Sequence, residues 1–167
     1  MMRTARYGAL GDPGAVFGSV VAVLNALVVA SYWRLYFTDP ALVNGDTQIA
    51  GYREYYLHLA GPVLQWIDVL FLKRAFRFPL CTAVWLGALV VIYVLWAEVL
   101  VAPLNLTPVG TVTSGLPYPF LNDMPLAARL RFYGLTYASG VVFVGLFWAA
   151  ARLVACSSLS RDRNPER

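Results

Sequence analysis

Charge is what this chain has least of. Lysine and arginine total 13 and aspartate and glutamate 9, so 13% of the 167 residues are charged, about half the share of a soluble domain. That leaves too little polar surface to hold a chain of this length in water. Histidine occurs once, at position 58, and cysteine twice, at 81 and 156. No CxxC and no Cys/His pair is present, so neither a metal nor another cofactor is expected. Cys81 and Cys156 fall at predicted helix ends on one side of the membrane. Two unmodified thiols, a reversibly palmitoylated Cys156 and a disulfide are the readings open. No basic stripe interleaves with exposed aromatics, which argues against nucleic acid as a partner.

What is present is apolar. Residues of hydrophobic type make up 59% of the chain and aromatics 14%, with a mean hydropathy of +0.62. A membrane span needs about 20 mostly apolar residues, because lipid offers backbone polar groups no partner. Runs at about 15–37, 55–72, 79–102 and 132–155 meet that need. They predict an all-α integral membrane protein, a bundle of about four transmembrane helices. Residues 1–156 form one transmembrane domain, and 157–167 form a polar, disordered cytoplasmic tail. Pro40, Pro79, Pro103 and Pro125 stand at the boundaries, where residues that start or break helices belong. Residues 1–14 carry Arg3 and Arg6, but Gly8, Gly11, Asp12, Pro13 and Gly14 precede the first apolar run. No small-residue cleavage motif closes that run, so it reads as a retained span rather than a signal peptide.

Orientation follows from the basic residues. With four spans, one side carries Arg3, Arg6, Lys73, Arg74, Arg77, Arg152, Arg161, Arg163 and Arg167, nine of the 13. The other side carries the remaining four, Arg34, Arg53, Arg129 and Arg131. The positive-inside rule then places both termini in the cytoplasm. Two longer loops, 38–54 and 103–127, face the opposite side. The second holds the stiff aromatic segment Leu116-Pro117-Tyr118-Pro119-Phe120-Leu121 and the glycosylation sequon Asn105-Leu106-Thr107.

Ionisable groups within lipid are costly and mark candidate sites. His58 lies about one turn inside the second span. Gln65 projects from nearly the same face, and Asp68 follows ten residues after His58, about 15 Å along the helix. Asp68 is too far to orient the imidazole, and pairs with Lys73 or Arg74 at the interface. Glu98, near the same membrane level as His58, is the carboxylate expected to hold the ring as the third member of a triad does. Tyr93 and Trp96 lie deeper, and Thr136 in the last span approaches from the same end. The plain alternatives stand beside these. His58 bonds a carbonyl or headgroup, Glu98 reaches the surface, and Asn25 ties helices together. The Trp and Tyr residues form a membrane belt, and Gly134, Gly140 and Gly145 permit close helix packing.

The ordered set of stretches resembles the androgen-induced protein family, which includes the androgen-dependent TFPI-regulating protein. Trp33-Arg-Leu-Tyr36-Phe-Thr-Asp39-Pro-Ala-Leu42-Val43 is similar to its aromatic exit from a span. His58, Pro62 and Asp68 are similar to its histidine-bearing span, where a carboxylate follows by the same ten residues. Arg77-Phe78-Pro79, Tyr93-Val94-Leu95-Trp96, Tyr118-Pro119-Phe120-Leu121 and Phe132-Tyr133-Gly134 continue the likeness in order. The resemblance implies a six-span enzyme of the endoplasmic reticulum or plasma membrane that hydrolyses fatty acid esters of hydroxy fatty acids. It implies an intramembrane threonine nucleophile and a histidine base, carried over here to His58. The threonine is not found: it belongs to an earlier span, and this chain aligns with the last four. Thr4 lies in a short polar segment and Thr82 at the far end of its span. The partners implied are membrane lipids and long-chain fatty acyl esters; a protein partner is not identified. A non-catalytic four-helix protein that binds lipid or a partner protein is the alternative reading.

Overall fold

A computed structural model describes residues 12–40, 51–108 and 114–162. Among these, every regular element is helical. Helix α1 spans Pro13–Thr38. Asp12 caps it in extended conformation, its carboxylate accepting from the Gly14 N–H at 3.1 Å. Pro13 at the first helical position surrenders an N–H that would have had no partner. Helix α2 covers 51–72, α3 Pro79–Leu104, α4 the single turn Pro119–Asn122 and α5 Leu126–Asp162. Pro79 opens α3, and Pro125 immediately precedes α5, its carbonyl accepting from Ala128 and Arg129.

Three of these helices are long and apolar enough to cross a membrane: Pro13–Thr38, Pro79–Leu104 and Leu126–Ser157. Helix α2 is not among them, because His58, Gln65 and Asp68 dilute its apolar run. It also starts at 51, earlier than the hydropathy boundary at 55, and α5 starts at Leu126 rather than 132. Both helices open with a polar turn that hydropathy leaves in the loop. At its other end α5 continues through 157–162, the first part of the expected tail. The 41–50 part of the first long loop lies outside the described residues.

Helix α1 is the centre of the bundle, packing on α2, α3 and α5. Some 39% of its most apolar window is buried, against 11% for the spans in α3 and α5. One core joins Val16, Val20 and Val23 of α1 to Val69, Ala75, Phe76, Leu86 and Val144. A second, at the opposite end, gathers Ala97, Leu116, Leu121 and Tyr133. The Leu116–Leu121 segment is therefore pinned inward at its two leucines, while Pro117 and Tyr118 stay exposed. Asn122 clamps it, donating to the Leu116 carbonyl and accepting the Leu116 N–H. Phe17, Phe37, Leu72, Leu80 and Leu153 are exposed. A soluble surface does not carry such a population of exposed large side chains; a lipid-facing one does.

Of the three glycines in α5 named above, Gly140 alone lies against another helix. A methyl group there would meet Leu86 at 2.6 Å, whereas Gly134 and Gly145 face open space. The expectation that all three serve packing is corrected accordingly. No disulfide joins Cys81 and Cys156.

Candidate functional site

Helices α1 and α2 run antiparallel and are stitched along their length by side-chain hydrogen bonds. Asn25 donates to Gln65 at 2.8 Å, Gln65 donates to the Gly18 carbonyl at 3.4 Å, and Trp66 donates to the Ala22 carbonyl at 3.0 Å. Nearer the first loop, the Trp33 indole donates to the His58 carbonyl at 3.1 Å. Pro62 explains why that carbonyl accepts. An α-helical bond to it would come from the residue four positions on, and Pro62 has no N–H. The helix widens to a π-turn over Tyr56–Ala60 at this point, a distortion that recurs at functional positions.

The His58 side chain is therefore held on a distorted, externally braced turn. Its imidazole stacks on Tyr32 of α1, ring centroids 3.6 Å apart and planes 13° from parallel. Its Nε2 lies 3.8 Å from a carboxylate oxygen of Glu54, one helical turn earlier, within ion-pair range though longer than a hydrogen bond. Tyr32 donates its hydroxyl to that same oxygen. Glu54 is buried, while the His58 side chain keeps 27% of its surface exposed. Buried carboxylate, bridging hydroxyl and accessible imidazole form one cluster. Trp33, Tyr36 and Tyr55 pack around it.

Glu98 is not the partner of His58. It lies in a second ionic cluster, accepting from Arg129 Nε at 2.8 Å, Arg129 Nη2 at 3.0 Å and the Tyr133 hydroxyl at 3.0 Å. Arg129 also donates to the Met124 carbonyl at 2.7 Å. Asp68 meets Lys73 at 2.6 Å. Thr136 donates to the Phe132 carbonyl of its own helix at 2.9 Å, and Thr82 to the Phe78 carbonyl at 3.0 Å. Tyr93 packs on Trp96 with ring centroids 5.9 Å apart. Gln65 is a tie to α1. Asn105 of the sequon donates its amide to the Gly115 carbonyl at 3.0 Å and accepts the Thr107 N–H.

Sequence reasoning missed Glu54 and Arg129. Glu54 sits four residues before His58, the spacing of helical neighbours, but the span boundary at 55 left it in a loop. The boundary at 132 did the same to Arg129. A carboxylate inside lipid calls for a cation, and that requirement was the available signal for Arg129.

Among the described residues, no group of His, Cys, Asp and Glu is arranged to hold a metal. No curated protein and no solved structure matches the chain. A family model described as FAR-17a/AIG1-like protein matches residues 15–153. With three helices of membrane-crossing length and composition, the chain is an integral, multi-pass membrane protein. Its matched segment includes α1, α2, α3 and all but the last turns of α5, and the chain belongs to the FAR-17a/AIG1-like family, the androgen-induced protein family.

Proposed function

We propose that this protein hydrolyses long-chain fatty acyl esters within the membrane, with His58 as general base. The observation that carries the reading is the imidazole's setting. His58 is partly exposed, stacked on Tyr32, and has Nε2 turned to the buried Glu54 carboxylate. A carboxylate within ion-pair range of one ring nitrogen stabilises the imidazolium that forms when the other nitrogen, Nδ1, takes a proton. The proton comes from a hydroxyl or water that attacks the ester carbonyl, and returns to the departing alkoxide. Within the described chain, Thr82 and Thr136 donate to backbone carbonyls of their own helices. The nucleophile is therefore left as a hydroxyl or water that the His58 cluster would activate.

The same reading takes α2 as a fourth span, since side-chain bonds tie it to α1 from His58 to Trp66. Nine of the 13 basic residues then lie on the side of the termini, which supports a cytoplasmic location for both; the endoplasmic reticulum or plasma membrane is the location that the family resemblance implies.

The test is release of free fatty acid from a fatty acid ester of a hydroxy fatty acid by the full chain in proteoliposomes. The wild type is expected to hydrolyse it, and His58→Ala to lose on the order of 10²–10⁴-fold. A second reading, a non-catalytic bundle that binds lipid or a partner protein, draws on the engagement of Gln65, Asp68, Glu98 and Thr136 in structural bonds. Absence of hydrolysis by the wild type would favour it.

A further inference from the structure

The turn between α2 and α3 is sunk into the end of the bundle. Ala75 and Phe76 are buried, and Phe76 stacks on Phe147 of α5 with ring centroids 5.0 Å apart. The Ala75 N–H returns to the Val69 carbonyl at 2.8 Å, and the Arg77 N–H to the Ala75 carbonyl at 2.7 Å. The backbone that carries the basic residues is thus rigid, which matters because ordering a loose loop on a ligand costs affinity.

Three cations flank this buried pair, and they are not equivalent. Lys73 is neutralised by Asp68 at 2.6 Å. Arg74 and Arg77 are exposed. Arg77 donates Nε to the Arg74 carbonyl at 3.1 Å, which anchors the guanidinium at one nitrogen and leaves its two Nη groups for an outside acceptor. Arg74 holds φ at 49°, a left-handed conformation that a long side chain adopts only under constraint. Immediately beside the two arginines, Leu72 and Leu80 are 77% and 81% exposed. They present hydrocarbon at the two helix ends that the turn joins.

We propose that Arg74 and Arg77 bind the phosphate of an anionic phospholipid headgroup, with its acyl chains running along Leu72 and Leu80. Guanidinium forks match phosphate oxygens two at a time. The exposed leucines beside them select a phosphate that carries chains over a soluble one. This site is independent of the catalytic reading and rests on the chain being a membrane protein.

Native mass spectrometry of the detergent-purified full chain, offered equal amounts of phosphatidylglycerol and phosphatidylcholine, tests the site. The wild type is expected to retain phosphatidylglycerol in preference. Arg74→Gly with Arg77→Gln is expected to lower that preference by roughly 25-fold, about five-fold per arginine. Arg74→Gly alone suits the left-handed backbone, keeps the fold, and is expected to give the five-fold step. Arg53→Gln, at the opposite end of α2, is expected to leave the preference unchanged. An absence of preference in the wild type, an undiminished preference in Arg74→Gly, or an equal fall in Arg53→Gln would each overturn the proposal.

Discussion

Glu98 of α3 and Arg129 of α5 meet through two parallel hydrogen bonds, at 2.8 and 3.0 Å, with both side chains largely withdrawn from the surface. This pair joins α3 to the first turn of α5 and, through the Met124 carbonyl, to the segment that α4 closes. Removing one partner strands the other charge in a poorly solvated site, an effect of about 3–5 kcal/mol in buried soluble pairs. Arg129→Leu is therefore expected to lower the thermal midpoint in detergent strongly. The double variant Glu98→Leu/Arg129→Leu is expected to recover a substantial part of the loss. Equal midpoints for Arg129→Leu and wild type would remove the pair from any structural role.

The α1–α2 seam makes a smaller and more graded prediction. Asn25→Leu leaves the Gln65 carbonyl oxygen without its 2.8 Å donor. Hydrogen bonds between membrane helices average about 0.6 kcal/mol and reach about 1.7. A loss in that range is expected in a reversible unfolding titration, with helicity unchanged. A loss several times larger would mean that Asn25 does more than hold the seam.

Glycines in α5 separate packing from propensity. Gly140→Ala puts a methyl 2.6 Å from Leu86 and is expected to destabilise by about 1–3 kcal/mol, the range for overpacking. Gly134→Ala and Gly145→Ala meet nothing and are expected to be neutral or to stabilise by up to about 1 kcal/mol through helix propensity. Thermal melts of the three variants side by side check the order.

Glu54 is a positioning residue in the proposed reaction, acting through His58. Glu54→Gln keeps the shape and the acceptor oxygen for Tyr32 but removes the charge that stabilises the imidazolium. It is expected to reduce kcat by about 10- to 100-fold, the range seen for outer partners that orient a working group, with KM little changed. Glu54→Asp is expected to recover part of the rate. Loss of KM instead of kcat would place Glu54 in substrate binding.

The apolar runs and their prolines were legible because hydropathy and backbone chemistry act locally. Pro79 and Pro125 stand where α3 and α5 begin, Pro40 follows the end of α1, and Pro103 is the next-to-last residue of α3. That Asp68 pairs with a cation of the next turn, Lys73 or Arg74, was legible too, and the partner is Lys73. Glu54 and Arg129 were not. A charged residue in the first turn of a span looks like loop to any hydropathy count, and only the packing of α1 on α2, or of α3 on α5, shows that it turns inward. Glu98 was assigned to His58 because the two share a membrane level. Level gives depth but not azimuth, and α3 presents Glu98 to α5.

The central claim is that the imidazole on the Tyr32–Glu54 shelf works as a base. The rate of free fatty acid release from a fatty acid ester of a hydroxy fatty acid, by the chain in proteoliposomes, tests it most directly. The wild type is expected to release it and His58→Ala to lose on the order of 10²–10⁴-fold while keeping its expression and helicity. Release by His58→Ala at the wild-type rate would contradict the account.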